Sequence, residues 1–218
     1  MWQRSSVIAV VILTASGMAP SARASAITFF DTHPVLFSET PFALPSFNPE
    51  LGTLESVNVS LTVAAIRVRG LTGFSADPTG FPLIVTGELS MTHSLQMSLS
   101  KGPTFVTVSQ RDTAGTAAPV PAFSTLPITF NLSPATGDPV VLTSPSDLQF
   151  FTQDAMVTLS AQGFFSARTI GPVASDTAIF GTPNTPVDVT ATLTYTFASV
   201  PEPSSLVGLT AVPQAIKL

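Results

Sequence analysis

The fold is decided by one alternating stretch in the middle of the chain, Leu89-Ser90-Met91-Thr92-His93-Ser94-Leu95-Gln96-Met97-Ser98-Leu99. The odd-numbered positions are apolar apart from His93, and the even-numbered positions carry hydroxyl or amide groups. Because successive side chains of a β-strand point to opposite faces, this period of two predicts a strand with one buried and one solvated face. His93 is in register with the apolar positions, so we expect it to lie against apolar neighbours.

The same alternation occurs on both sides of this stretch. Val57–Val63 and Val187–Phe197 alternate apolar residues with Asn, Ser, Thr or Asp. Shorter candidate strands are Ile27–Phe30, Phe105–Val108, Ile128–Leu132, Leu148–Phe151, Met156–Ala161 and Phe164–Arg168. Sustained apolar spacing at i, i+3, i+4 and i+7 does not occur, so we expect essentially no helix in the mature domain.

Segments rich in Gly and Pro separate the candidate strands, namely Gly70–Pro82, Ala114–Pro121, Ser133–Asp147 and Gly171–Pro186. We interpret Gly70, Gly73 and Gly80 as turn glycines. Many strands joined by turn-rich loops, without the spacing of βαβ units, indicate an all-β protein. The prediction is an antiparallel β-sandwich, with a jelly-roll or immunoglobulin-like layout, over residues 25–198.

The composition excludes several classes of protein. The 218 residues include 13 acidic and 8 basic side chains and no cysteine. Disulfide scaffolds and cysteine-ligated metal sites are therefore excluded. The acidic balance argues against nucleic-acid partners, which require a clustered basic surface. With 44% hydrophobic residues and a net charge of only −5, the chain is not of the disordered type.

The N-terminal residues 1–24 have the features of a secretory signal peptide. Arg4 supplies the positive charge, Val7–Leu13 is a short apolar run, and Ala22-Arg23-Ala24 is an A-x-A cleavage site. We expect cleavage between Ala24 and Ser25 and hence a secreted protein. The mature chain would keep 6 basic and 13 acidic residues, for a net charge of −7, and would lose the only tryptophan.

Residues 199–218 contain a second targeting feature. The triplet Pro201-Glu202-Pro203 resembles the start of a PEP-CTERM sorting signal, found in exported proteins of exopolysaccharide-producing Gram-negative bacteria. The resemblance implies an exosortase as partner and a location outside the cell or at its surface. The rest of the tail departs from that pattern, because its apolar run is short and interrupted by Pro213, and Lys217 is its only basic residue. We interpret the tag as incomplete, either as a decayed sorting signal or as one whose final codons were lost or shifted.

The length of this tail predicts that the chain, as given, is released from the membrane. The 15 residues after Pro203 would form a helix of about 22 Å, against a hydrocarbon core of about 30 Å. Pro213 would disrupt even that helix. We therefore expect no stable membrane span in the mature chain.

A second resemblance covers most of the mature chain. The segment Phe42–Leu54, leading into the strand that starts at Val57, is similar to the opening of choice-of-anchor E domains, which are bacterial surface domains. Asp147-Leu148 with Phe150-Phe151, and the Thr-rich strand ending at Phe197, also fit. The resemblance implies a location and a β-rich fold, and it implies no enzymatic activity.

Few residues are suited to catalysis or metal binding. The chain contains only His33 and His93, too few for a multi-histidine metal site. We place His33, which precedes Pro34, in a solvated early loop. The G-x-S-x-G elbow of hydrolases and the Gly-rich phosphate-binding motifs do not occur. The sequence predicts no catalytic residue, metal ligand or cofactor.

The carboxylates could serve two kinds of site, a glycoside-hydrolase pair or a calcium site in the loops. Glycoside hydrolysis needs two carboxylates at a defined separation, and Glu50, Glu55 and Glu88 are the candidates. Loop calcium sites would draw on Asp77, Asp112, Asp138, Asp147, Asp154 and Asp176, which are scattered along the sequence. We interpret these aspartates as solvated loop residues, some of which start turns.

These observations predict a non-enzymatic exported protein of the cell surface or extracellular matrix. A carbohydrate-binding module, with exopolysaccharide as partner, is the first alternative, and a secreted polysaccharide hydrolase is the second. Sugar-stacking platforms usually use Trp or Tyr. The mature chain has no Trp, and its one Tyr, Tyr195, shares a strand face with Leu193 and Phe197. We therefore expect no platform-type sugar binding.

Overall fold

The computed structural model describes residues 24–76, 82–171 and 177–200. Strands dominate this part of the chain: β1 Ala24–Val35, β2 Thr40–Pro45, β3 Gly52–Val63, β4 Ile66–Ser75, β5 Thr86–Leu99, β6 Gly102–Gly115, β7 Thr125–Leu132, β8 Ala135–Thr136, β9 Val140–Leu142, β10 Met156–Thr169, β11 Thr177–Gly181 and β12 Val187–Ser199. Helical structure here is limited to one turn of α-helix, α1 (Pro145–Leu148), and to 3₁₀ turns at Pro49–Leu51 and Gln149–Phe151.

The strands form three antiparallel sheets. Sheet I has the order β1-β12-β3-β8, with β9 also paired to β3; sheet II has the order β2-β10-β5-β6; sheet III has the order β11-β4-β7. The chain changes sheet at every connection except β5–β6 and β8–β9. The prediction of an all-β, antiparallel sandwich is confirmed.

The inner face of sheet II packs against both other sheets. Towards sheet III, the Ile179 side chain lies over Gly87 of β5. Towards sheet I, the Tyr195 hydroxyl of β12 donates a hydrogen bond of 2.9 Å to the Pro45 carbonyl oxygen of β2. The apolar positions of β3, β5 and β12 are buried in one continuous core, as their alternation predicts.

Most predicted strands are present and longer than the sequence indicates. β3, β5 and β12 contain the three alternating stretches, and Met156–Ala161 and Phe164–Arg168 belong to the single strand β10. Three short strands, β8, β9 and β11, lie inside segments interpreted as loops. Strands of two to five residues carry too few positions for a period to show, and their neighbours are Gly and Pro.

The prediction of a strand at Leu148–Phe151 is wrong. These residues continue helical turns that begin after Ser144, whose side chain accepts from the Asp147 backbone N–H. Pro145 at the first helical position has its φ already fixed for a helix and needs no backbone donor there. The structure of this apolar run is therefore determined by the capping residues that precede it and not by its own composition.

The interpretation of Gly70 and Gly73 as turn glycines is also wrong, because both lie inside β4. Gly70 adopts φ +91° where the register of β4 with β7 shifts between Val68 and Leu71. A β-bulge of this kind commonly places glycine at positive φ. Gly80 lies outside the described residues.

The first and last described strands are neighbours in sheet I. Ala24 at the start of β1 is paired with Ala198 near the end of β12. The antiparallel register continues without interruption to Val35 and Val187. Both ends of the sandwich domain therefore emerge side by side.

Candidate functional site

His93 lies on the inner face of β5, as predicted, with none of its surface exposed. It is paired with Gly163 of β10 and Val108 of β6. Neither ring nitrogen has a hydrogen-bond partner in the described part of the chain. Burial lowers the pKa of His93 from 6.5 to about 4, because the interior disfavours the charged imidazolium. His93 is thus neutral at physiological pH.

The placement of His33 in a solvated loop is wrong. It lies in β1, where its Nε2 is 2.9 Å from Oδ2 of Asp31, and its ring stands edge-on to Phe42 at 4.9 Å. The backbone N–H of Ala43 in β2 also donates to Asp31. This pair therefore ties the edge strand of sheet I to the edge strand of sheet II.

A second buried polar residue, Gln110, was not singled out by the sequence analysis. Its Nε2 donates to the carbonyl oxygens of Ala64, at 3.0 Å, and of Ser133. Ala64 lies in the link between β3 of sheet I and β4 of sheet III, and Ser133 follows β7 of sheet III. The side chain of Gln110 therefore bonds to the backbone where sheet I meets sheet III. The alternation Val106, Val108, Gln110 is the sequence signal that places it inside.

Glu50, Glu55 and Glu88 have separate surroundings. Glu50 lies in the first 3₁₀ turn, capped by Asn48, and Glu55 is exposed on β3. Glu88 lies on the outer face of β5, where its carboxylate contacts Arg168 at 3.1 Å and Arg111 at 3.5 Å. These contacts across three strands give Glu88 a structural partner on each side.

The aspartates considered for calcium are also dispersed. Two of them are not the solvated loop residues that the sequence predicts. Asp112 lies in β6 and accepts from the Asn131 backbone N–H at 2.6 Å. Asp147 is buried and accepts from the Ser144 hydroxyl at 2.7 Å. Asp138 and Asp154 are exposed outside the strands. Asp77 and Asp176 lie outside the described residues. Within the described ranges, no group of three or more His, Asp or Glu side chains is placed to hold a metal ion.

One open depression of about 450 Å³ lies beside α1. It is mainly apolar and is lined by Thr53, Leu54, Pro145, Leu148, Gln149 and Thr152. The Lys101 ammonium donates at 3.5 Å to the Ser144 hydroxyl, which caps α1 close by. Because this lining carries no ionisable side chain, the depression can hold an apolar group but supplies no acid or base.

The outer face of sheet II is broad and polar. Serine, threonine and glutamine side chains of β5 point outward, and the Thr92 and Ser109 hydroxyls are 2.9 Å apart across β5 and β6. Phe105 and Phe164 interrupt this face, with 50% and 52% of their surfaces exposed. Tyr195, in contrast, is fully buried, and burial raises the pKa of its hydroxyl.

The outer face of sheet I is a ladder of threonines. Hydroxyl pairs cross the strands at Thr28–Thr194, Thr32–Thr190 and Thr62–Thr136, at 2.8 to 3.2 Å. Threonine is stiff at χ1, so these hydroxyls are held in place by the sheet. The face is nearly free of charge.

The predicted targeting residues are only partly within the described chain. Ala24 and Ser25 open β1, paired with Ala198 and Phe197. Pro201, Glu202 and Pro203 lie outside the described residues. A helix with the length and apolar character needed to span a bilayer does not occur in the described part of the chain.

Comparisons with known proteins do not identify a family. No family model matches the chain, and no curated protein matches it. Two solved structures, of the infectious bursal disease virus Gx and Gt strains, are similar at 16% and 14% identity with TM-scores of 0.11 and 0.13. The alignments cover 89% and 88% of this chain and only 47% and 46% of the viral chains, so this chain spans about half their length.

Proposed function

We propose that this chain is a non-enzymatic exported β-sandwich that acts at the cell surface or in the extracellular matrix, and that an exosortase acts on its C-terminal tail. The observation that carries the proposal is the pairing of Ser25, the first residue of the proposed mature chain, with Phe197 near the end of β12. The sandwich domain occupies the part of the sequence between the proposed signal peptide and the proposed sorting signal. Both features would attach at the same end of sheet I, and the body of the domain would extend away from that end.

The surface chemistry supports the same proposal. The outer faces of sheets I and II present mainly hydroxyl and amide groups, and the ionised groups on them are few and largely paired, as at Glu88. The buried imidazole of His93 is inaccessible to a substrate. Such faces suit weak, extended contacts with hydrated material better than bond-breaking chemistry.

Export of the full chain tests this proposal. In a Gram-negative host, we expect the protein in the medium to begin at Ser25, because Ala22-Arg23-Ala24 fits the signal peptidase. N-terminal sequencing measures this. A secreted product that still begins at Met1, or a chain that stays with carbonate-washed membranes, would contradict the proposal.

The exosortase is tested in the same host by deleting its gene. We expect the C-terminus of the secreted chain, measured by intact mass, to depend on the enzyme. The combined change Pro201→Ala, Glu202→Ala and Pro203→Ala should abolish that dependence. The neighbouring change Ser204→Ala with Ser205→Ala serves as control and should keep it. Equal masses with and without the enzyme would remove the exosortase from the proposal.

Exopolysaccharide binding is the alternative function, and it would have to use the half-exposed Phe105 and Phe164 on the polar outer face of sheet II. We expect no submillimolar binding to neutral polysaccharides, because Tyr195 is buried and the mature chain lacks Trp. Calorimetry and a glycan array measure this. Binding that Phe164→Ala abolishes and Phe123→Ala leaves intact would establish this alternative, and turnover of polysaccharide would establish a hydrolase.

A further inference from the structure

The free edge of β1 differs from every other sheet edge in the described part of the chain. Natural edges are protected by short length, proline or charge. The other edges have such protection: Pro41 and Pro45 in β2; Pro127 in β7; and lengths of two, three and five residues in β8, β9 and β11. In β6, Pro103, Arg111 and Asp112 flank an uncharged run that Gly137 covers at Thr107 and that Gln110 ties to Ser133. β1 carries Asp31, His33 and Pro34 in its second half, whereas Ser25–Phe30, the part of its first half that remains after cleavage, contains no proline and no charged side chain.

Only part of β1 is covered on its free side. β12 pairs with one edge of the strand along its whole length. On the other side, β2 reaches β1 at Asp31, where the Ala43 N–H donates at 3.3 Å. The part before Asp31 has no strand partner on this side among the described residues. Its inner-face side chains Ile27 and Phe29 pack on the core but are only partly buried.

We propose that this edge is a self-association surface, on which β1 of a second copy pairs antiparallel along Ser25–Phe29. A two-fold axis near Ile27 would make sheet I continuous across both copies, because an isologous contact uses the same patch twice. Inner-face residues would then meet inner-face residues, so that Ile27 and Phe29 of each copy extend the other's core.

A second copy fits this edge because the segment is self-complementary. The two-fold pairing places no like charges opposite each other, because Ser25–Phe29 contain no charged side chain and the α-amino group of Ser25 would face Phe29 of the second copy. The pairing also satisfies backbone donors and acceptors that the single copy leaves to water. It goes beyond the proposed function, since neither export nor sorting requires a dimer.

The test compares two double variants of the secreted protein by sedimentation. Ala26→Lys with Thr28→Lys puts charge on the free edge. Thr196→Lys with Thr194→Lys, the direct cross-strand partners, puts the same charge one strand inward. Both variants lose the Thr28–Thr194 hydroxyl contact and add the same charge, and thermal unfolding of each variant measures its monomer stability separately. We expect the wild type and the inner variant to be dimers at 100 µM and the edge variant to be a folded monomer.

A second measurement fixes the geometry. The chain contains no cysteine, so Ile27→Cys introduces a single thiol beside the proposed axis. Mild oxidation should give a disulfide-linked dimer in this variant and not in Thr158→Cys, an exposed position on β10 of sheet II. A wild type that is monomeric at 100 µM, or an edge variant that remains dimeric with unchanged circular dichroism, overturns the proposal.

Discussion

Replacing Gly163 with alanine is expected to destabilise the domain by about 3 kcal/mol or more, which for a domain of this size lowers Tm by roughly 6–12 °C. A Cβ at this position would overlap the backbone carbonyl oxygen of Leu36 and would lie 3.3 Å from Cδ2 of His93. The carbonyl cannot rotate away as a side chain would. The segment after β1 would have to leave β10, together with the bond from Gln162 Nε2 to the Phe37 carbonyl oxygen.

Gly115→Ala is the matched control for this prediction. It is also a strand glycine, in β6, but its nearest neighbour would be at 3.4 Å, an ordinary contact. Chemical denaturation should show unchanged or slightly higher stability, because alanine restricts the unfolded chain. Equal stabilities of the two variants would mean that Leu36 does not rest on Gly163.

Acid is expected to remove about 3 kcal/mol of stability through His93 alone. The pKa of His93 is about 4 in the folded chain and 6.5 when solvated. Between these values the unfolded chain binds the extra proton and the folded chain does not. The stability that the neutral His93 ring contributes is therefore fully present above pH 6.5, decreases as the pH falls, and is lost near pH 4.

The measurement is the free energy of unfolding from pH 7 to pH 4 for the wild type and for His93→Met. Met91 and Met97 already lie on the same strand face, so methionine suits the site. The variant removes two unpartnered nitrogens and should be at least as stable at pH 7. The difference in the free energy of unfolding between the two proteins should grow towards pH 4. A constant difference would show that the His93 ring is protonated without penalty.

The long strands β5 and β12 could be predicted from the sequence because their burial is one-sided, whereas the ten-residue β4 was missed because its register shifts at Gly70 and because Gly73 leaves a gap in its alternation. β5 and β12 keep a period of two over more than ten residues, so that period alone identifies the buried face of each. The helical turn at α1 could not be predicted from the same pattern. There the outcome depends on whether the Ser144 side chain reaches the Asp147 N–H, a local hydrogen bond that hydrophobicity does not report.

The candidate sites were less predictable, because their contacts join residues far apart in sequence. His93 was placed correctly, since its environment follows from its own strand. His33 and Asp31 depend on β2 packing against β1, and the partners of Glu88 depend on the registers of β6 and β10. Cross-strand registers of this kind are fixed by turn geometry and by the whole core.

The pairing of Ser25 with Phe197 also means that the two ends of the described sandwich domain nearly meet. Opposed residues of an antiparallel pair are about 5 Å apart, a gap that a hairpin turn of two or three residues can bridge. The domain could then be reopened at the exposed bend of Ala117 and Ala118, next to Thr116, whose side chain lies near Gly73 of sheet III. Such a circular permutant would keep every described strand and move both ends of the domain from sheet I to the side of sheet III.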